Sequence, residues 1–110
     1  MSRLHRFALA VCAITSVAGA KPAAASTHVV TIEQMRFDPP TQTVHRGDSV
    51  VWVNKDLVAH TVSADARIFD SGSIAPEASW RYVVSEPGRY PYKCLFHPTM
   101  HGTLIVEPTP

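Results

Sequence analysis

The stretch Pro87-Gly88-Arg89-Tyr90-Pro91-Tyr92-Lys93-Cys94-Leu95-Phe96-His97-Pro98-Thr99-Met100-His101-Gly102 changes character half-way along. Its first half alternates, with Tyr90, Tyr92 and Cys94 on one face of an extended chain and Arg89, Pro91 and Lys93 on the other. Its second half drops the alternation and sets a thiol, an imidazole and a thioether at i, i+3 and i+6, at Cys94, His97 and Met100. A strand would splay those three side chains to opposite sides, whereas a loop can curl them around one point. The stretch therefore reads as a strand that follows the Pro87-Gly88 turn and ends in a loop, closed by a turn at His101-Gly102.

The same pattern of short strands and turn residues extends upstream and down. His28–Ile32, Thr43–His45, Ser49–Asn54, His60–Ser63, Ser79–Val84 and Thr103–Val106 are the other candidate strands. Asp38-Pro39-Pro40, Gly47-Asp48 and Gly72 punctuate them. No convincing long helix, internal repeat or linker interrupts the series, which predicts an all-β antiparallel sandwich or small barrel. Trp52, Trp80, Tyr82, Tyr90 and Tyr92 are expected to pack in or near its core.

Before this series lies a segment of different composition. Arg3, His5 and Arg6 precede an apolar run from Phe7 to Val17, and Ala-x-Ala patterns follow at Ala18–Ala20 and Ala23–Ala25. That is the three-part layout of a secretory signal, and eleven apolar residues are too few for a hydrocarbon core that takes roughly 20. Residues 1–25 are read as a signal peptide and 26–110 as one domain, with Ala25 the first choice of cleavage point and Ala20 the second. Cys12 sits too early, behind the bulky Val11, to serve as a lipoprotein cysteine, so no membrane anchor is expected. The expected compartment is the periplasm.

This division changes the balance of the chain. The 110 residues carry ten basic and nine acidic side chains. Losing Arg3, Arg6 and Lys21 leaves seven basic against nine acidic, with no basic block to suggest nucleic acid as a partner. One cysteine, Cys94, remains, so no internal disulfide can form in an exported domain of a size that often depends on them. A metal is the obvious substitute staple.

Cys94, His97 and Met100 lack one imidazole of a His₂Cys trigonal set with a weak axial Met, the signature of blue-copper electron-transfer sites. His60, after the loop 54–59, is a plausible fourth ligand. Structural zinc prefers more thiolates and makes poor use of Met. A nucleophilic Cys94–His97 pair is disfavoured as well, because a histidine three residues along a tight loop is badly placed to act as the base. If cleavage follows Ala25, Ser26-Thr27-His28 would offer an amine, two amides and an imidazole to square-planar Cu(II) or Ni(II). His45 and His101 read as solvated surface residues.

In the Cys-x-x-His-Pro-x-Met loop followed by His101-Gly102, the sequence resembles the cupredoxins, and its short spacing is most like the amicyanins. Trp52-Val53-Asn54-Lys55-Asp56-Leu57-Val58-Ala59-His60, Phe69-Asp70-Ser71-Gly72 and Pro87–Cys94 extend the resemblance over residues 28–107. The resemblance implies a Greek-key β-sandwich of about eight strands, one type 1 copper, His60, Cys94 and His97 as strong ligands, and Met100 as the long axial one. It also implies a monomeric carrier, not an enzyme, that passes single electrons between redox proteins such as a dehydrogenase donor and a cytochrome acceptor. Docking is expected near His97, ringed by Phe96, Pro98, Leu57 and Val58. The alternative use of the same site is copper binding and delivery. Two departures bear on the site. Thr61 stands where the family commonly has an Asn that ties the ligand loops together, so its shorter side chain must do that work. Phe96 stands where amicyanins tend to have proline, and its N–H is expected to donate to the Cys94 sulfur.

Overall fold

The computed structural model describes residues 10, 13 and 24–109. The segment read as a signal peptide, Cys12 included, falls almost wholly outside the described residues. Eight strands run in order: β1 Thr27–Glu33, β2 Arg36–Asp38, β3 Thr41–His45, β4 Ser49–Asn54, β5 Ser63–Ala64, β6 Ser79–Val83, β7 Gly88–Lys93 and β8 His101–Glu107. They form two four-stranded sheets, ordered β2-β1-β4-β6 and β3-β8-β7-β5, so the expected all-β sandwich is what the chain builds. A 3₁₀ turn, Asp65–Arg67, follows β5. Among the described residues no helix is long and apolar enough to cross a membrane.

Alternation decides which faces meet. In β4, Val50, Trp52 and Asn54 are buried while Ser49, Val51 and Val53 are half-buried. In β8, Gly102, Leu104 and Val106 point inward. Between the sheets these residues meet Val30, Ile32, Phe37, Val44, Val62, Phe69 and Tyr92. Trp52 is the centre of the aromatic packing: its ring lies 5.5 Å from Trp80 and 5.6 Å edge-on from Tyr92. Its indole N–H donates to the Tyr92 hydroxyl at 3.2 Å, so the one polar group of each ring is satisfied in the core. Trp80, Tyr82 and Tyr90 pack against the core while partly exposed, as expected of them.

Four details differ from the sequence expectation. Of the expected strand His60–Ser63 only Ser63 lies in a strand, β5, while His60 makes an isolated bridge to Ile74. The sandwich is mixed, because β1 pairs β4 and β3 pairs β8 in parallel. Neither pair is joined by a hairpin, so nothing in a local turn could announce its direction. β2 is an additional strand; its three residues are too few to show a period. Gly102 is not a turn residue but lies inside β8, opposite Tyr92. A Cβ there would stand 2.2 Å from the Tyr92 ring, so the glycine is required by close approach.

The N-terminal motif is also used differently. Thr27 and His28 are in β1, in register with Ser49 and Val50, and the His28 Nε2 lies 2.9 Å from Asp48 Oδ2. An extended strand cannot wrap an ion in its own amides, and the imidazole already has a partner.

Candidate metal centre

The site forms where three segments meet at one end of the sandwich. β7 delivers Cys94 immediately past its last residue, and the loop back to β8 carries His97 and Met100. That loop is closed by its own backbone: Met100 N–H donates to the His97 carbonyl at 2.9 Å and Cys94 N–H to the Met100 carbonyl at 3.1 Å. The turn is therefore complete at Met100, and β8 starts at His101 rather than after Gly102. His60 comes from the other side, fixed by reciprocal backbone hydrogen bonds with Ile74 at 3.1 and 2.7 Å.

Chain folding brings the His60, Cys94 and His97 ligand atoms within 4.8 Å of one another. Cys94 Sγ lies 3.7 Å from His60 Nδ1 and 3.7 Å from His97 Nδ1. Two donors about 2.0–2.3 Å from a shared ion and about 120° apart stand roughly 3.7 Å from each other. The spacing therefore suits one ion in a trigonal N₂S set, and the soft sulfur with two imidazoles is the donor chemistry of type 1 copper. Met100, the last residue of this loop, is buried. His60 and Cys94 are also buried, and His97 is half-buried, so the centre is reached from solvent on the His97 side.

Asp56 holds the first histidine. Its Oδ2 lies 2.7 Å from His60 Nε2 and accepts the Met35 N–H at 3.0 Å, while Oδ1 accepts the Gln34 N–H at 2.7 Å. Burial pushes this carboxyl upward, but the hydrogen bonds from Met35, His60 and Gln34 outweigh it and hold Asp56 below the ordinary carboxylate range. A ring whose Nε2 is bound to a carboxylate presents Nδ1 as its free donor, with tautomer and orientation both set. Gln34 and Met35 turn with φ of 53° and 58°, left-handed values that side chains adopt reluctantly, and Asp56 ties down both of their amides. Asn54 shapes the intervening loop. Its buried amide donates to the Val58 and Ile74 carbonyls, and its carbonyl accepts the Asp56 N–H at 2.9 Å.

Thr61 joins the two ligand-bearing segments, as its position next to His60 suggested. Its N–H donates to Cys94 Sγ at 3.3 Å, and its hydroxyl accepts the Leu95 N–H at 2.8 Å. The donor expected on the sulfur, the Phe96 N–H, is not among the sulfur's hydrogen bonds in the described residues; Thr61 takes that place because β5 brings its backbone alongside the thiol. Asp56 and Asn54 escaped the sequence reading. Both act across loops, and a polar residue in a turn carries no signal of what its side chain will reach.

The Cupredoxin-like domain family model matches residues 6–106, nearly the whole chain. The chain is a cupredoxin. Amicyanin of Paracoccus versutus is 32% identical over 102 residues, covering 84% of this chain and 77% of the relative. Amicyanin of Paracoccus denitrificans is 31% identical over 84 residues, covering 72% of this chain and 64% of the relative, so here the match spans just under two thirds of the relative's length. Among solved structures, the Cu(I) form of an amicyanin mutant superposes with a TM-score of 0.71 at 30% identity, covering 76% of this chain and 85% of that one. The cofactor of this cupredoxin is one type 1 copper ion, and the family fold is the two-sheet sandwich described above.

Proposed function

We propose that this cupredoxin is an exported single-electron carrier, with His60, Cys94 and His97 as strong copper ligands and Met100 as the weak axial one. The observation that carries the reading is the placement of Cys94 Sγ 3.7 Å from both imidazole Nδ1 atoms, inside loops braced from several directions. Bound copper supplies a one-electron Cu(II)/Cu(I) couple. The chain supplies a frame that fits both oxidation states with little movement. Asp56 anchors His60, Thr61 anchors the sulfur and the following amide, and the Met100–His97 hydrogen bond closes the loop. Small ligand displacement means small reorganisation on electron transfer.

The surface near His97 supports brief docking. Leu57 is 95% exposed and Phe96 54% exposed, and Val58 and Leu95 are also open. These four apolar side chains sit on the two loops that carry the ligands. Exposed apolar side chains on these two loops suit the small interfaces of transient redox encounters, with a dehydrogenase as donor and a cytochrome as acceptor. Residues 1–25 serve as the export signal, and the mature domain works as a periplasmic monomer. Copper delivery is the competing use of the site. The burial of His60 and Cys94 and the braces on them favour retention of the ion over its release.

The test is to load the purified mature protein with copper and record visible and EPR spectra and a voltammogram. An intense thiolate-to-copper band with a reversible couple supports the carrier. Ready transfer of copper to a competing acceptor, with a sluggish couple, would establish delivery instead.

A further inference from the structure

A chain of hydroxyls leads from the ligand loop to the surface. The Leu95 N–H donates to Thr61 Oγ1 at 2.8 Å, Thr61 Oγ1 lies 3.0 Å from Ser63 Oγ, and Ser63 Oγ donates to Asp70 Oδ1 at 3.0 Å. Thr61 and Ser63 are buried, whereas Asp70 is exposed. Asp70 is itself positioned by the Gly72 N–H on the same Oδ1 at 3.0 Å and by a β-bridge between residues 63 and 70.

The direction of this chain is determined by proton count. An ionised carboxylate only accepts, and each hydroxyl has one proton to give. Ser63 spends its proton on Asp70, so the bond between the hydroxyls must run from Thr61 to Ser63. Thr61 then has only lone pairs left for the Leu95 N–H. A hydroxyl that donates into a chain ending on a charge is also a stronger acceptor at its other side.

We propose that Ser63 and Asp70 are positioning residues for the copper loop: they orient the Thr61 hydroxyl as an acceptor and thereby hold the Cys94–Leu95 peptide against the His60 segment. The proposal rests on the copper-site reading above. Thr61 grips this peptide at two points, through its N–H on Cys94 Sγ and its hydroxyl on the next amide. Without Ser63 or Asp70 the first grip remains and the second loses its orientation. The loop should then loosen locally at Leu95, while the core behind Trp52 is untouched. A surface carboxylate outside the ligand set thus sets how tightly the thiolate is held.

The experiment compares wild type, Asp70→Ala, Asp70→Asn and Ser63→Ala. Because Asp70 is exposed, its variants are expected to fold even if Ser63→Ala does not. Amide hydrogen exchange at Leu95 is read by NMR on the metal-free protein, with Val30 in the core as the internal control. The copper-loaded forms give the thiolate-to-copper band and the reduction potential. Leu95 exchange should accelerate about tenfold in Asp70→Ala and Ser63→Ala, corresponding to about 1.4 kcal/mol. Val30 should be unchanged, and Asp70→Asn, which keeps an acceptor oxygen, should retain most of the protection. The same two alanine variants should shift the band and the potential, with Asp70→Asn closer to wild type. Unchanged Leu95 exchange in Asp70→Ala would overturn the proposal, as would equal acceleration at Val30, which would mean a general loss of stability. A wild type without a thiolate-to-copper band would instead refute the copper site and leave the Leu95 measurement to stand or fall alone.

Discussion

The two ends of β4 are closed by aspartates that do the same thing with different consequences. Just before the strand, Asp48 accepts the Ser26 N–H at 2.9 Å and the His45 N–H at 3.0 Å, and meets His28 Nε2 at 2.9 Å. Just after it, Asp56 accepts the Gln34 and Met35 amides and meets His60 Nε2. Each carboxylate gathers two backbone donors and one imidazole. At the Asp48 end the histidine is half-buried in β1 and its other nitrogen faces Gln42, 3.5 Å away. At the Asp56 end the histidine is fully buried and its other nitrogen faces Cys94. One arrangement clamps the sandwich; the other clamps the sandwich and aims an imidazole at the Cys94 thiol. The residue types alone do not separate a structural clamp from a functional one. What lies on the far side of the imidazole does.

The largest effect expected at the ligand end is outright loss. Cys94→Ser should abolish the intense visible band of the copper-loaded protein, whereas His28→Gln at the other end should leave the spectrum unchanged; absorption spectra of the two variants check this. Next comes stability at the Asp48 end. Asp48→Ala removes the acceptor of the Ser26 nitrogen, the His45 amide and the His28 imidazole, and should cost about 3 kcal/mol in urea unfolding, with the copper spectrum intact. A shifted spectrum would mean that the two ends communicate. At the Asp56 end, Asp56→Ala should lower copper affinity roughly 10- to 100-fold, the usual cost of losing the partner of a ligating histidine. Competition against a chelator measures it, and an unchanged affinity would reduce Asp56 to a clamp like Asp48.

The remaining effects come from pH. Hydrogen bonds from Ser26 and His45, with help from His28, pull the Asp48 carboxyl down to about 2. Because its folded pKa lies below the unfolded value of 3.8, its contribution is complete above pH 4 and lost as the pH falls through about 2. Wild-type stability should decline over that window, and Asp48→Asn should flatten the decline. In the core, burial pushes Tyr92 up to about 12, partly offset by its hydrogen bond with Trp52. Its contribution is complete below pH 10 and is lost as the pH rises toward 12. Tyr92→Phe should remove that alkaline decline in denaturant titrations.

Much of the centre was legible because its parts are close in the chain. Cys94 and His97 fall three residues apart, so a strand ending in a loop suffices to predict that they converge. His60 was nameable because an imidazole was the missing member of a set, and the alternating strands were visible wherever five or more residues faced a two-sided environment. Thr61 was half-read: its position marked it as the tie between loops, but its grip on the sulfur through the backbone N–H depends on how β5 lies against β7.

Other features depend on distances that no local pattern carries. Asp56 reaches amides 21 and 22 positions away, and Thr61 reaches its partners across 33 and 34. Gly102 is required by a ring ten residues earlier on the neighbouring strand. The parallel pairings of β1 with β4 and β3 with β8 follow from the order in which strands enter the two sheets. By itself the sequence determined the class of fold, the metal and the residues that could hold it, because strand periodicity and donor chemistry are local properties. Tertiary structure alone decided which polar side chains brace those ligands and which merely close the sandwich, because a hydrogen bond is short and its partner is chosen by how the chain packs.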